Sequence, residues 1–352
     1  IFFWMAFHQN GLTLTYFADE FTDTTAVGFD TMLFNVWNLA LIIIAVYATF
    51  SIFQSEGAKA KIFSGVLASA ILAFLVYRAM GIEATAEISV AAPIFQQFNP
   101  FYVVALTPVS MAIFGSLARK GKEPSAPRKI AYGMLVAAIG FMIMAVGSNG
   151  LNTPNEQQRA IAVDKAEAFA KEYYTVAATA EDFETLKSDA EVAATIKPAT
   201  DFMGKLNKNT LPVFFDVYNA SVTVLKANEA EDNAAVAEAE ASLAAIKADT
   251  KPETRTSPYW LIFTYLILTF AELLLSPMGI SFVSKVAPPK LKGLMMGGWF
   301  VATAIGNMLV AVGGFLWAGL PLWSVWTVFI VLCLLSALFM FIMMKRLEAV
   351  TK

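Results

Sequence analysis

Residues 259–283 read YWLIFTYLILTFAELLLSPMGISFV, an apolar stretch with one charged side chain, Glu272, near its middle. A helix needs about 20 mostly apolar residues to cross a bilayer, because each residue rises about 1.5 Å and the hydrocarbon layer is about 30 Å thick. This stretch is long enough and apolar enough, and it predicts a membrane-spanning helix. A carboxylate inside that layer is costly and calls for an explanation.

The same pattern recurs along the chain and predicts eight spans. They cover residues 1–17, 33–53, 62–81, 95–117, 130–146, 259–283, 294–317 and 322–344. Hydrophobic residues make up 57% of the chain, charged residues only 15%, and the mean hydropathy is +0.60, which is typical of a membrane protein. The expected fold class is therefore all-α and multi-spanning.

Lysine and arginine occur in alternate short loops, which predicts an orientation because cytoplasmic loops retain positive charge. If the eight spans alternate, these residues fall on one side, and the C-terminus lies in the cytoplasm. Arg78 is the one basic residue near the opposite side. The basic residues of the cytoplasmic side are Lys59, Lys61, Arg119, Lys120, Lys122, Arg128, Lys129, Lys285, Lys290, Lys292, Lys345 and Arg346.

Residues 150–256 interrupt the apolar pattern with a polar stretch rich in alanine, glutamate and lysine. Thr153 followed by Pro154 and Glu156 is typical of a helix start with a capping box, and Thr179 with Asp182 repeats the pattern. Apolar residues within the stretch favour a compact helical bundle over a disordered linker. We expect an extracytoplasmic soluble helical insert between membrane units at residues 1–149 and 257–352.

Glu272 shares one helical face with Tyr265, Thr269 and Ser276, which lie three to four residues apart. An ionisable residue inside a membrane usually faces a bundle interior or a wet cavity, where it takes part in function. Glu272 is therefore a candidate for substrate or proton binding. The alternative is a purely structural hydrogen bond between helices.

Trp4, His8 and Gly11 also share a face, in the first apolar stretch. Histidine exchanges protons near neutral pH, so His8 is a second candidate for proton coupling. The alternative is a structural hydrogen-bond donor. A single histidine and a single cysteine, Cys333, exclude a multi-histidine metal site, an internal disulfide and a thiolate cluster. We expect no cofactor besides a proton gradient.

Trp299 and Asn99 are candidates for lining a cavity. Trp299 aligns with Thr303 on one face of the seventh stretch, and Asn99 follows Gln96 and Gln97 at the start of the fourth. Helix capping is the alternative explanation for these three amides. A net charge of −3 without a basic stripe excludes a nucleic-acid partner, and the spans carry no HExxH or GxSxG motif of an intramembrane enzyme.

Three motifs in order resemble the proton-coupled oligopeptide transporters of the major facilitator superfamily. FQQFNP at 95–100 resembles the family's eighth helix, AELLLSP at 271–277 its tenth, and KGLMMGGWF at 292–300 the entry to its eleventh. FWMAFHQNG at 3–11 is similar to the seventh, although many members carry acidic residues where this chain has Phe7, His8 and Gln9. An added membrane hairpin, at about 33–81, separates the seventh and eighth helices.

The resemblance implies the C-terminal six-helix bundle of a symporter that imports di- and tripeptides with protons. It implies that Asn99 and Glu272 bind the peptide, that Trp4 and Trp299 shape the pocket, and that Ser276 belongs to the same site. The partners are then a small peptide, protons, the lipid of the cytoplasmic or inner membrane, and an N-terminal half absent here. Import of another amino-bearing solute and a receptor or scaffold role for the insert are the alternatives.

Overall fold

The computed structural model describes residues 1–176, 185–186 and 189–349. It divides into two compact units, one formed by Ile1–Gly150 with Arg255–Lys352 and the other by Leu151–Thr254. In chain order the helices are α1 (Phe2–Phe7), α2 (Thr13–Glu20), α3 (Val36–Gln54), α4 (Ala58–Met80), α5 (Phe98–Arg119), α6 (Ala126–Gly147), α7 (Pro154–Tyr173), α8 (Ala190–Met203), α9 (Thr210–Glu229), α10 (Asn233–Lys247), α11 (Tyr259–Val286), α12 (Lys292–Leu309), α13 (Ala311–Gly319) and α14 (Leu322–Ala349).

Seven helical segments of the described chain are long and apolar enough to cross a membrane. Five are α3, α4, α6, α11 and α14. The other two are α5 with the 3-10 turn before it and α12 continued by α13. The expected all-α, multi-spanning fold class is confirmed.

The eighth predicted span, at residues 1–17, is not one continuous helix. The helix stops at Phe7, a 3-10 turn occupies His8–Gly11, and Leu12 has φ −131° and ψ −88° before α2 begins. Glycine is a poor helix former, and Gly11 lies in this break. Hydropathy indicates whether a stretch is apolar enough to lie in lipid. It does not indicate whether the stretch forms one continuous helix.

Helix α6 lies at the centre of the membrane unit, in contact with both α11 and α14. Its glycines allow the approach to α11. An added Cβ would lie 2.9 Å from the carbonyl oxygen of Ala271 at Gly133, and 3.0 Å from the Leu268 side chain at Gly140. Small residues let membrane helices pack closely in this way. The helix that carries Glu272 is thereby held at a defined depth and rotation.

An ion pair marks one end of the membrane unit, where Arg128 Nε lies 2.7 Å from Glu348 Oε1. At the other end, Trp326 Nε1 donates a 2.8 Å hydrogen bond to Ser148 Oγ. The basic segment between α5 and α6 therefore lies at the same end as the basic end of α14.

The hairpin α3–α4 packs against α5 through α3. Asn35 begins α3, and its side chain accepts hydrogen bonds from the backbone N–H groups of Trp37 and Asn38. A two-stranded antiparallel sheet joins the segments that flank the hairpin, with Thr25 opposite Ser89 in strands β1 (Thr25–Val27) and β2 (Glu87–Ser89). The hairpin is thus tied to its neighbours at the end where α3 starts and α4 stops.

The Leu151–Thr254 unit has its own hydrophobic core, in which Phe169, Tyr173, Phe214 and Tyr218 are buried. The predicted capping box at its start is confirmed. Thr153 Oγ1 accepts from the Glu156 N–H at 3.4 Å, and a Glu156 carboxylate oxygen accepts from the Thr153 N–H at 3.0 Å. The second predicted cap, Thr179 with Asp182, lies outside the described residues.

Candidate functional site

Asn99 and Glu272 meet where the first turn of α5 packs against the middle of α11. Asn99 Nδ2 lies 3.4 Å from Glu272 Oε2 and 3.3 Å from Thr269 Oγ1, and both Asn99 and Glu272 are half-buried. Both hydrogen bonds are at the long end of the usual range. The amide is therefore close enough to orient the carboxylate and is held only loosely by it.

The polar stripe of α11 turns toward the interior of the membrane unit. Tyr265 and Thr269 are buried, while Glu272 and Ser276 are half-buried further along the same face. The Tyr265 hydroxyl donates to the Asn10 carbonyl at 3.2 Å, and the Thr269 hydroxyl donates to the Tyr265 carbonyl at 2.8 Å. The hydroxyl groups of Tyr265 and Thr269 are thus hydrogen-bonded within the protein. The side chains of Glu272 and Ser276 are less enclosed.

Glu272 has no ion-pair partner among the residues that the structure describes. A buried carboxylate is costly unless it is neutralised or paired, and one amide donor offsets only part of that cost. Because Glu272 is half-buried, a proton or a cation bound there would lower the cost of its charge. An ammonium group is a cation of suitable size and hydrogen-bonding capacity.

Trp299 lies against the same helix, two turns beyond Glu272. A Cβ added at Gly279 would come within 2.1 Å of the indole ring of Trp299, so the ring rests on the glycine. Thr303 donates a 3.1 Å hydrogen bond to the Trp299 carbonyl within α12. Because a helix rises about 1.5 Å per residue, the ring lies roughly 10 Å along α11 from the carboxylate.

Trp4 and His8 form a separate pair on the first segment. Their rings stack with centroids 5.3 Å apart, and His8 Nδ1 lies 3.0 Å from the Trp4 carbonyl oxygen. No hydrogen bond or ring contact in the described part of the chain joins them to Asn99 or Glu272. A Cβ at Gly306 would lie 2.7 Å from the Trp4 Cβ, so this pair packs on α12.

The amides at the start of α5 do not cap it. Its N-cap residue, Gln97, makes no side-chain capping hydrogen bond, and Gln97 Nε2 is buried with no partner among the described residues. Gln96 Nε2 instead donates to Thr15 Oγ1 at 2.9 Å. Helix capping is therefore the wrong explanation for this group, and Asn99 alone of the three reaches Glu272.

Gln9 is a polar residue whose importance the sequence did not indicate. It is fully buried, and its Nε2 donates to the Met5 carbonyl at 3.0 Å and to the Val310 carbonyl at 3.1 Å, between α12 and α13. Its Oε1 accepts from the Thr13 hydroxyl at 3.1 Å. An amide in an otherwise apolar stretch was the available signal. The partner carbonyl, 301 residues away, was not visible in the sequence.

No group of three His, Cys, Asp or Glu side chains close enough to hold a metal ion occurs within the described ranges. The groups at the site are a single carboxylate, Glu272, its amide partner Asn99 and neighbouring hydroxyl groups. Such a set can bind a proton or an amine by hydrogen bonding and charge.

Comparison with known families and proteins gives a consistent result. The model of the POT family matches residues 66–160 and 233–314, about half of the chain. These ranges include Asn99, Glu272 and Trp299. No solved structure matches the chain.

Three curated relatives illustrate the match. The chain is 41% identical over 58 residues to Peptide transporter YePEPT of Yersinia enterocolitica, which is 16% of this chain and 11% of that protein. It is 42% identical over 65 residues to Dipeptide and tripeptide permease B of Salmonella typhimurium, covering 17% and 13%. It is 31% identical over 101 residues to Solute carrier family 15 member 2 of Rattus norvegicus, covering 29% and 14%.

Each alignment spans between 11 and 14% of these relatives' own length. The family match extends across α5, α6, α11 and α12, the helices that form and support the site, and includes the C-terminal part of α4. The chain therefore belongs to the POT family, and it is a multi-pass membrane protein.

Proposed function

We propose that this chain forms part of a proton-coupled symporter of di- and tripeptides, in which Glu272 binds the amino terminus of the peptide. The observation that supports the proposal is the half-buried Glu272 carboxylate, which has one amide donor, Asn99, and no ion-pair partner among the described residues. The printed names of the relatives, a peptide transporter and a dipeptide and tripeptide permease, support the substrate class.

Two states of Glu272 provide the coupling. A carboxylate in a low-dielectric cavity holds either a proton or an ammonium group, and each neutralises the charge that makes burial costly. Binding of one therefore competes with binding of the other. Asn99 donates to the carboxylate and can also accept from an ammonium N–H through its own carbonyl oxygen.

The other candidates have supporting roles in this scheme. Ser276 supplies a hydroxyl one turn beyond Glu272, and Trp299 forms an apolar wall two turns away. Trp4 and His8 lie on the first segment, where His8 exchanges protons and Trp4 shapes the pocket. An N-terminal half of the transporter supplies cationic groups for the peptide carboxylate, and alternating access follows from rocking of the two bundles about the site.

The positive-inside pattern supports a location in the cytoplasmic membrane with the C-terminus inside. The same orientation puts the Leu151–Thr254 unit outside, since the chain leaves the membrane unit after α6 and returns before α11. No contact in the described structure favours another solute or a receptor role over peptide transport.

The experiment is uptake of labelled dialanine into vesicles by the complete transporter, with and without an inward proton gradient. Wild type is compared with Glu272→Gln and with Glu20→Gln, a carboxylate outside the site. N-acetyl-dialanine, which lacks the ammonium group, is the second substrate. We expect gradient-driven uptake of dialanine in wild type and in Glu20→Gln, and discrimination against the acetylated peptide that disappears in Glu272→Gln.

The possible outcomes test peptide symport and the role of Glu272 separately. No peptide uptake by folded wild type contradicts peptide symport itself. Normal discrimination in Glu272→Gln leaves peptide symport standing and contradicts the assignment of Glu272 to the amino terminus.

A further inference from the structure

Arg78 is the one basic residue that departs from the charge pattern of the loops, and the structure gives it an unusual setting. It lies in the last turn of α4, half-buried. Its Nη1 donates a 2.7 Å hydrogen bond to Oδ1 of Asn38, a fully buried residue near the start of α3. A neutral amide therefore holds the guanidinium across the hairpin.

Asn38 is itself held in place. Its Nδ2 donates to the Met32 carbonyl at 3.1 Å, so the oxygen that faces Arg78 is oriented by the turn before α3. Holding a side chain at both ends removes most of its rotamer freedom. The hydrogen bond to this oriented oxygen restrains the guanidinium of Arg78 before any ligand arrives.

None of the ion pairs among the described residues includes Arg78. Of the nearby carboxylates, Glu83 and Glu87 are exposed, and Asp30 accepts a hydrogen bond from the Tyr259 hydroxyl. None of these three carboxylates lines the cavity beside Arg78, whose guanidinium is the charged group of that lining.

A cavity of about 250 Å³ opens at this point, lined by Arg78 and by polar side chains that include Thr31, Asn35 and Asn38. A water molecule occupies about 30 Å³, so the cavity has room for a phosphodiester group. Guanidinium N–H groups match phosphate oxygens in geometry and charge. The ligand chemistry indicated is a phosphate-type anion.

The surroundings identify the source of the phosphate as a lipid. Trp37 and Tyr77 directly precede Asn38 and Arg78 in α3 and α4, with 74% and 76% of their surfaces exposed, and Met80, which ends α4, is 82% exposed. Exposed tryptophan and tyrosine at the end of a membrane helix mark the level of the lipid headgroups. Apolar side chains beside a cation at that level fit an acyl chain together with an anionic headgroup.

We propose that Arg78, held by Asn38, binds the phosphate of an anionic phospholipid at the end of the α3–α4 hairpin. The site is distinct from the Asn99–Glu272 site, and it does not depend on which solute the protein carries. The lipid would bridge the hairpin and the turn before α3.

The test is a titration of the complete transporter, purified in detergent, with phosphatidylglycerol or phosphatidylcholine of the same acyl chains, read by native mass spectrometry. We expect wild type to bind phosphatidylglycerol more tightly. Arg78→Gln should weaken that binding about fivefold, the effect of removing one cation at a headgroup, and leave phosphatidylcholine binding unchanged. Lys120→Gln makes the same charge change at an exposed lysine of the opposite end and should have no effect.

A second variant tests the proposal independently, in case Arg78→Gln does not fold. Ile82→Trp fills the cavity without changing the charge, and it should also weaken phosphatidylglycerol binding. Equal losses in Arg78→Gln and Lys120→Gln, or unchanged binding in Arg78→Gln and Ile82→Trp, would overturn the proposal. Displacement of the lipid by millimolar inorganic phosphate would overturn the lipid assignment and identify a site for free anions.

Discussion

The indole ring of Trp299 rests directly on Gly279, at a point where an added Cβ would lie 2.1 Å from the ring. This contact fixes the distance between α11, which carries Glu272, and α12. Glycine is required there because any side chain would occupy the space of the ring. The position of Trp299 thus depends on the absence of a side chain at residue 279.

Gly279→Ala should displace Trp299 and destabilise the protein by about 1–3 kcal/mol, the usual cost of overpacking. The measurement is thermal unfolding of the complete transporter in detergent, together with the KM for dialanine. Gly65→Ala is the control, because its Cβ would lie 3.9 Å from Ile52, an ordinary contact distance. Equal unfolding temperatures for the two variants would contradict the close contact.

Asn99→Ala should raise the KM for dialanine about tenfold, because a hydrogen bond to a charged group contributes about 1.5–3 kcal/mol. The variant removes the donor 3.4 Å from Glu272 and leaves the carboxylate without its partner. Uptake into vesicles under a proton gradient measures the change.

Thr107→Val is the matched control on the same helix, since the Thr107 hydroxyl donates to the Val103 carbonyl one turn before it and bonds to no other group that the structure describes. We expect its KM to match that of wild type. An unchanged KM in Asn99→Ala would mean that the amide neither orients Glu272 nor meets the peptide.

Gln9→Leu should lower the free energy of unfolding by about 1–2 kcal/mol. It removes the donor to the Val310 carbonyl and the acceptor of the Thr13 hydroxyl, and buried polar groups left unpaired are costly, although less so in membranes. Gln96→Leu, an exposed amide with one hydrogen bond to Thr15, should cost less than half as much. Thermal unfolding compares the two, and equal shifts would show that the Gln9 network is energetically unimportant.

The capping box of the Leu151–Thr254 unit should depend on pH. Lys251, whose Nζ lies 2.6 Å from a Glu156 carboxylate oxygen, and the Thr153 N–H lower the pKa of Glu156 below its ordinary value. A lowered folded-state pKa stabilises the folded unit above the ordinary glutamate pKa of about 4.3, and this contribution is lost as the pH falls through the folded-state value.

Glu156→Gln should therefore speed hydrogen exchange at residues 154–160 about two- to fivefold at pH 7, with a difference from wild type that fades toward pH 3. Comparing variant and wild type at each pH removes the intrinsic dependence of exchange on pH. Glu238→Gln, an exposed glutamate of the same unit, is the control. A ratio that stays constant between pH 7 and pH 3 would contradict the role of the charge.

Deletion of residues 151–254, with a short glycine and serine linker between Gly150 and Arg255, should leave most dialanine uptake intact. The deleted unit has its own core, and the packing of α6 against α11 and α14 comes from the membrane unit. Uptake and surface expression are measured together. Complete loss of uptake with normal membrane insertion would mean that the unit takes part in transport.

Several features could be predicted from the local sequence alone. Hydropathy locates the seven long spans because about 20 apolar residues are a property of the stretch itself, whatever surrounds it. Helical periodicity groups Tyr265, Thr269, Glu272 and Ser276 on one face, and local hydrogen bonding predicts the capping box of Thr153 and Glu156. The Glu272 carboxylate is expected on a polar face that points inward, because exposing it to lipid is costly.

Other features depended on which helices meet, because a hydrogen bond or a close packing contact joins residues that are far apart in sequence. Asn99 reaches Glu272 across 173 residues, and Gln9 reaches the Val310 carbonyl across 301. The fit of Trp299 on Gly279 likewise depends on neighbours in space. Composition and periodicity describe one helix at a time, whereas the geometry of the candidate site comes from the contacts between helices.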